Sequence, residues 1–283
     1  MTGFYEGATL HVRSYDSMQE GRSVIDGDVE FYLGLARRTG GKVLEVGIGT
    51  GRVGVRLAQA GMDVTGLDLS GDMLAIAAQR AAAAGCGDRV TLVQGDMREF
   101  WLGDTGSRLV IVPFRAVQVL LTADDQRRAL ESFRRNLGPG GTLALHLFDP
   151  NLRFLQGGGP VERMAGIDAL TGRHVEAVMQ STDFDYLAQV RHDHWRYRAL
   201  NADGTSAEEQ ALTLSIRWTW RWRSITWRWR RGWWVRPRQI RGARRRWRTS
   251  CARRSWLLRG RAIRTGVQGR RIMLMLRIGR RLI

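Results

Sequence analysis

Cysteine, proline and lysine are scarce in this 283-residue chain, and long apolar runs are absent. Its two cysteines, Cys86 and Cys251, are too few and too far apart for a disulfide framework or a zinc site. No apolar run approaches the ~20 residues that a membrane-spanning helix needs. The first residues, MTGFYEGATLHVRSYD, also lack the apolar run of a secretory signal. We therefore expect a cytoplasmic protein without a membrane span.

Acidic residues are missing from the C-terminal segment. Residues 1–222 carry 24 basic and 27 acidic residues, a net charge of −3, whereas residues 223–283 carry 21 arginines, six tryptophans and no acid. One interpretation is a nucleic-acid-binding arm, in which arginines contact phosphates and indoles stack on bases. The other is a shifted reading frame of a GC-rich gene, because the chain has a single lysine, Lys42, against 44 arginines. We favour the shifted frame and expect residues 223–283 to be disordered or out of frame, which could impair activity.

The most informative stretch is VLEVGIGTGR, Val43–Arg52. It predicts a buried strand that runs into a turn with glycines at 47, 49 and 51, and a helix pattern follows at once. Glycine lets a backbone approach a nucleotide-like ligand closely, because it has no side chain and tolerates φ > 0. Gly49, Gly51 and Gly54 also fit the dinucleotide pattern GxGxxG, so the glycines alone leave a nicotinamide-dependent oxidoreductase open.

The downstream pattern alternates strands and helices. A second apolar strand, 64–70, contains Asp68, 17 residues past Gly51, where a carboxylate can accept hydrogen bonds from both ribose hydroxyls. Further strands are predicted at 89–97, 108–114 and 137–150. Helices are predicted at 26–38, 73–84 and 123–136, the last after a cap at Thr122. This alternation predicts an α/β fold with a doubly wound parallel sheet.

Five motifs in register resemble class I S-adenosylmethionine-dependent methyltransferases. They are ExGxGxG (Glu45, Gly47, Gly49, Gly51), Asp68, GDM (95–97), VPF (112–114) and LGPGGT (137–142), spread over about 110 residues from Val43 to Asp149. The resemblance implies a Rossmann-like sheet, S-adenosyl-L-methionine as cofactor, and methyl transfer by in-line displacement. The GDM and Pro-Gly-Gly elements weigh against the oxidoreductase.

The resemblance also assigns roles to residues. The glycine turn would pass under the methionine part of the cofactor, with Glu45 holding the loop, and Asp68 would take the ribose hydroxyls. Asp96 would accept from the adenine amino group, with Leu69, Met73 and Met97 packing on the ring. The remaining expected contacts line the place where the methyl group meets its acceptor: Pro113 for the cofactor, and Tyr15, Phe114, Arg115 and Gln118 for the substrate.

Other chemical groups suggest no further site. His192 and His194 lie on one face of a strand-like stretch, but no third ligand is apparent, so we predict no metal site. A sulfonium methyl is already activated, so a protein chiefly has to align the acceptor and exclude water. His146, on the fifth strand, is expected to be structural, and we name no catalytic base.

Four segments are predicted: a helical lid (1–40), an S-adenosylmethionine-binding core (41–150), an antiparallel β cap with the substrate region (151–222) and the basic tail (223–283). Within the cap, strands are predicted at 173–181, 186–198 and 211–222, with a turn at 201–204. A cap of this kind is typical of small-molecule methyltransferases, so we expect a monomeric enzyme with a small-molecule acceptor. A nucleic-acid methyltransferase that uses the basic tail is the alternative, although VPFR is not the Asn/Asp-Pro-Pro-aromatic motif of base-amino methyltransferases.

Overall fold

The structure is a computed structural model. It describes residues 5, 7–20, 27–103, 106–149 and 162–218, and also four later strands, 228–230, 233–235, 256–265 and 270–280, for their backbone alone. The side chains of residues 148 and 149 are likewise outside the description. The first part of the predicted cap, residues 151–161, lies outside the described residues.

A parallel sheet of five strands forms the centre of the molecule. The strands are β1 (Val43–Val46), β2 (Val64–Asp68), β3 (Val90–Gln94), β4 (Ser107–Val112) and β5 (Leu137–Asp149). Their spatial order is β3-β2-β1-β4-β5, with parallel pairing throughout. The chain therefore reverses its winding direction at β1, which is the place where open α/β sheets bind ligands, beyond the carboxyl ends of the strands.

Helices cover both faces of this sheet. The helices are α1 (Leu10–Arg13), α2 (Tyr15–Gln19), α3 (Asp28–Thr39), α4 (Gly54–Gln59), α5 (Gly71–Ala83) and α6 (Ala123–Asn136). The side chain of Thr122 accepts from the Asp125 amide at the start of α6, as predicted, and Ser70 accepts from the Met73 amide at the start of α5. Two apolar clusters, one on each face, form the core. One centres on Tyr32, Leu57 and Leu109, and the other on Leu44, Phe133 and Leu145. The predicted doubly wound α/β fold is confirmed.

Two further strands extend the sheet beyond β5. Strands β12 (Trp256–Thr265) and β13 (Arg270–Arg280) pair antiparallel with one another, and β13 pairs antiparallel with β5 over Arg270–Arg277. The sequence predicts instead that residues 223–283 are disordered or out of frame. Strand pairing uses backbone groups that every residue except proline carries, and 272–276 is an apolar run, so absence of acids does not prevent it. A separate small pair joins β10 (Arg228–Arg230) and β11 (Trp233–Val235).

The cap is a four-stranded antiparallel sheet. Its strands are β6 (Arg163–Ile167), β7 (His174–Asp185), β8 (Val190–Leu200) and β9 (Ser206–Arg217), in that order. The predicted turn at 201–204 is present, with the Asn201 amide donating to the Thr205 carbonyl. Two details differ from the sequence prediction: β6 was not foreseen, and Tyr186, predicted inside a strand, lies in the exposed turn between β7 and β8.

Candidate cofactor and acceptor site

The glycine turn leaves β1 at the sheet edge where the winding reverses. Gly47, Gly49 and Gly51 all have positive φ, at 72°, 56° and 80°. The amides of Gly47 and Ile48 both donate to the Leu67 carbonyl, at 2.8 and 3.1 Å, which ties the turn to the end of β2. A Cβ on Gly47 would come within 2.7 Å of Ala116, whereas one on Gly49 would meet nothing within 4 Å. The turn therefore presents bare backbone toward an open space.

Asp68 closes the other side of this turn. Its Oδ2 accepts from the Gly49 amide at 2.8 Å and its Oδ1 accepts from the Ser70 amide at 3.0 Å. Burial raises the pKa of Asp68, and the amides of Ser70, Gly49 and Leu69 oppose that rise. Each carboxylate oxygen can accept more than one hydrogen bond, so Asp68 still has the capacity to accept from hydroxyl groups of a ligand.

Glu45 lies directly beneath the turn and is 2% exposed. Within the part of the chain that the structure describes, its Oε2 is buried without a hydrogen-bond partner. A Cβ on Gly54 would lie 2.5 Å from that oxygen, so a larger residue at the start of α4 would displace the Glu45 carboxyl. Burial raises the pKa of Glu45 to about 8; Arg52 opposes the rise and Asp28 adds to it.

The predicted adenine side lies between β2 and β3. A cavity of about 480 Å3 is lined by Gly7, Leu69, Ser70, Gly71, Asp72 and Gln94. Leu69 is 54% exposed there, whereas Met73 is buried in the core and Met97 packs against the second apolar cluster. Asp96 is ion-paired with Arg98, which lowers the pKa of the Asp96 carboxyl. The adenine roles of these four residues stay predictions.

The predicted acceptor side follows β4. Pro113 is buried, and the next two residues, Phe114 and Arg115, both have left-handed backbone, with φ of 44° and 68°. Non-glycine residues adopt this region at a cost, and such strain clusters at ligand sites. The Arg115 guanidinium lies 4.9 Å from the centre of the Phe114 ring. Gln118 is 1% exposed and donates to the Arg217 carbonyl at 3.1 Å, so it joins this loop to the cap.

A segment near the N-terminus packs over the turn, and most of it was missed from the sequence. Asp16 accepts from the Thr50 hydroxyl at 2.7 Å and is ion-paired with Arg80. Next to it, His11 makes edge-on ring contacts with Tyr5 and Tyr15, and its Nδ1 lies 2.9 Å from the Tyr197 hydroxyl. Burial lowers the pKa of His11 to about 3. Of this group only Tyr15 is predicted as a site residue from the sequence, since no local motif marks the others.

Burial also raises the pKa values of the two tyrosines. Arg115 opposes the rise for both Tyr5 and Tyr15, and Asp68 adds to it for Tyr5. The two phenols, Arg115 and Asp68 are therefore within electrostatic reach of one another. The glycine-turn side and the loop after β4 therefore lie near one another, and the assignment of these residues to a cofactor and an acceptor stays a prediction.

The remaining candidate groups lie elsewhere. His192 contacts the Ser215 hydroxyl at 2.7 Å, and His194 lies between Thr213 and Asp183. No cluster of three metal-ligating side chains occurs among the described residues. His146 is buried on β5. In the same described part of the chain, no helix is long and apolar enough to cross a membrane.

The core of the protein, from β1 into β5, is similar in sequence to a known domain family. The methyltransferase domain family matches residues 43–141, which run from β1 into β5. Residues 43–141 are a methyltransferase domain. YqeM of Bacillus subtilis, which carries the name of a methyltransferase, is 34% identical over 114 residues, covering 40% of this chain and 44% of that protein.

A second curated relative of this domain comes from Streptomyces venezuelae. It is the dTDP-3-amino-3,4,6-trideoxy-alpha-D-glucopyranose N,N-dimethyltransferase, 38% identical over 103 residues, which cover 36% of this chain and 40% of that protein. This chain thus matches less than half the length of either curated relative.

Solved structures extend the likeness beyond the domain. DesVI of Streptomyces venezuelae aligns with a TM-score of 0.63 and 21% identity over 94% of this chain and 97% of its own. CalS10 of Micromonospora echinaspora is an amino pentose methyltransferase solved with S-adenosylmethionine. It aligns with a TM-score of 0.57 and 23% identity over 91% of this chain and 92% of its own. At these identities the structures show a shared fold, that of class I methyltransferases with a cap.

Proposed function

We propose that this protein transfers a methyl group from S-adenosyl-L-methionine to a small-molecule acceptor. The observation that carries the proposal is the joint geometry of the glycine turn and Asp68, because the Gly49 amide and the Asp68 carboxylate are fixed against one another at 2.8 Å. The same arrangement lies within the segment that matches the methyltransferase domain family.

The residues present fit this cofactor. The turn offers an open cradle at Gly49, where a side chain would meet no atom within 4 Å. Asp68 stands beside this cradle: its Oδ2 accepts from the Gly49 amide at 2.8 Å, and the carboxylate has further capacity to accept from a ligand. S-adenosylmethionine supplies, when bound, a methyl group on a sulfonium centre.

The chain's own residues then have to align the acceptor and keep water out. We assign to this task Pro113 and Phe114, which follow β4, and the rings of Tyr5 and Tyr15, which pack edge-on against His11. Asp68 and the glycine turn hold the position of the cofactor, while Phe114 and Arg115 hold the acceptor. The transfer is an in-line displacement, and no described residue is assigned as a general base.

The kind of acceptor follows from the cap and from the relatives. The N-terminal helices contact both the glycine turn and the cap, and a site enclosed in this way suits a small molecule better than a macromolecule. The curated Streptomyces relative and CalS10 are both named for methylation of amino sugars. From these names we extend to this chain only the small-molecule acceptor, and the monomeric state is kept from the sequence prediction alone.

Calorimetric titration of S-adenosylhomocysteine into the full chain tests the proposal. We expect micromolar binding that Asp68→Asn weakens about 10- to 100-fold, because hydrogen bonds to a charged group contribute about 1.5–3 kcal/mol. Asp63→Asn is the matched control, since Asp63 is exposed just before the opposite end of the same strand. A folded wild-type chain that binds NADH but not S-adenosylhomocysteine would refute the assignment.

A further inference from the structure

A second polar side chain, that of Gln94, lies beside Asp68 at the carboxyl edge of the sheet. Gln94 is the last residue of β3, and in the parallel pairing of β2 with β3 it lies directly opposite Asp68, the last residue of β2. Neighbouring strands are about 4.8 Å apart, so the two residues stand side by side where the strands end. Gln94 also lines the cavity between these strands, together with Leu69 and the start of α5.

The amide group of Gln94 is held in a defined orientation. Its nitrogen donates to the Leu69 carbonyl at 3.1 Å. A Cβ on Gly71 would lie 3.5 Å from both the nitrogen and Oε1, so the amide group packs beside the glycine that begins α5. The Leu69 carbonyl thus decides which end of the amide is the donor. Oε1 is therefore the hydrogen-bond acceptor that Gln94 brings to the wall of the cavity.

The carboxylate of Asp96, which follows Gln94 after one glycine, is engaged by Arg98. Its Oδ1 accepts from the Arg98 amide at 2.8 Å and from Nε at 3.0 Å, while its Oδ2 accepts from Nε at 2.9 Å and is ion-paired with Nη2. Asp125, in the first turn of α6, contacts the same guanidinium at 3.4 Å. These contacts take up most of the accepting capacity of one carboxylate, which is about four lone-pair sites. The described lining of the cavity contains Gln94 but not Asp96.

We propose that Oε1 of Gln94, rather than the carboxylate of Asp96, accepts the hydrogen bond from the adenine amino group of the cofactor. The inference rests on the proposed function for the identity of that cofactor. An exocyclic amino group is a donor, and the carbonyl oxygen of a side-chain amide is a matching acceptor. Leu69, which the sequence assigns to the adenine ring, lines the same cavity. Asp96 instead joins the loop after β3 to α6 through Arg98.

An acceptor at this position predicts selectivity between two bases, which can be measured without any methyl transfer. S-adenosylhomocysteine and S-inosylhomocysteine are titrated separately into the full chain by calorimetry. In the inosyl compound a carbonyl oxygen replaces the amino group, so that two acceptors would face one another and one hydrogen bond would be lost. We therefore expect the wild type to bind S-adenosylhomocysteine at least 10-fold more tightly than S-inosylhomocysteine.

Three variants assign this selectivity to a residue. Gln94→Met keeps the length of an exposed side chain but removes the amide, so we expect it to fold. It should bind S-adenosylhomocysteine about 3- to 10-fold more weakly and lower the ratio of the two affinities at least threefold. Gln59→Met, at the exposed end of α4, is the matched control and should keep both affinities. Asp96→Asn should leave the ratio as it is in the wild type, because Asp96 then acts only on the loop.

The outcomes for the two proposals are distinct. A folded wild-type chain that binds neither compound refutes the proposed function, and the inference with it. If S-adenosylhomocysteine binds but Gln94→Met keeps the wild-type ratio of affinities, only the inference is overturned, because Gln94 does not then read the base. A wild type that binds the two compounds equally overturns it as well. A ratio that falls in Asp96→Asn and not in Gln94→Met would assign the amino group to Asp96 and would also overturn it.

Discussion

The buried carboxyl of Glu45 gives the fold a pH dependence that can be calculated. In the unfolded chain this group has its ordinary pKa of 4.5, whereas burial raises the pKa to about 8 in the folded protein. Between these two values the folded protein holds a proton that the unfolded chain releases. Raising the pH through this window therefore favours the unfolded chain.

The size of the effect follows from the shift. One pKa unit corresponds to about 1.4 kcal/mol, so the free energy of unfolding should fall by up to about 5 kcal/mol between pH 4.5 and 8, and no further above it. Arg52 offsets only part of the cost of ionisation, because Asp28 already holds its guanidinium at 2.8 and 2.6 Å. Asp28 and Asp68 both add to the rise in the pKa of Glu45.

Glu45→Gln isolates this contribution, because glutamine resembles the protonated acid in shape and does not titrate. We expect urea unfolding followed by circular dichroism to show the wild type losing stability relative to Glu45→Gln from pH 5 to pH 8. Glu30→Gln, an exposed position on α3, serves as the control and should follow the wild type. Parallel pH profiles for the wild type and Glu45→Gln would refute the reasoning, since Glu45 would then ionise freely in the folded protein.

Two other variants probe the loop above Glu45. Gly51→Ala should cost about 1–3 kcal/mol in urea unfolding, because φ is +80° and the new Cβ would lie 2.9 Å from the Val55 side chain. Gly61→Ala, with φ of +88° and open space, should cost less, and an equal loss would mean that crowding is unimportant. Asp16→Asn removes the charge opposite Arg80 and should weaken S-adenosylhomocysteine binding about 3- to 10-fold in calorimetry; unchanged affinity would mean that Asp16 does not hold the turn.

The strand-and-turn unit of the core was predictable because its signals are local. Strand β1, the positive φ of the three glycines and the carboxylate at the end of β2 all follow from residues within Val43–Asp68. The cap at Thr122 likewise depends on a hydrogen bond between residues three apart. The predicted positions of the strand ends are less accurate, because pairing with neighbouring strands decides where a strand stops. Tyr186, a strong strand former, instead lies in the turn between β7 and β8.

The parts that were not predictable depend on contacts between distant residues. Strand β6 has a weak alternating pattern and contains Gly166, where a Cβ would come within 2.6 Å of the Ser17 hydroxyl. That glycine is needed because α2 packs against the strand, which nothing in the sequence of β6 reveals. In the same way, Asp16 bonds Thr50 and Arg80 across 34 and 64 residues. The pairing of β13 with β5 is equally remote in sequence.

The N-terminal helices connect the two halves of the site. Asp16 on α2 holds the glycine turn, whereas Arg13 on α1 is ion-paired with both Asp168 and Glu208 of the cap, at 3.3 and 2.5 Å. Only two residues separate Arg13 from Asp16. A movement of the glycine turn that displaces Asp16 would therefore also displace Arg13 and its ion pairs with the cap. Occupation of the cofactor position and of the acceptor cleft should therefore be energetically coupled, and such coupling is reciprocal. We expect Arg13→Gln, which removes the anchor to the cap, to change S-adenosylhomocysteine affinity in calorimetry although Arg13 lies away from the glycine turn; unchanged affinity would refute the coupling.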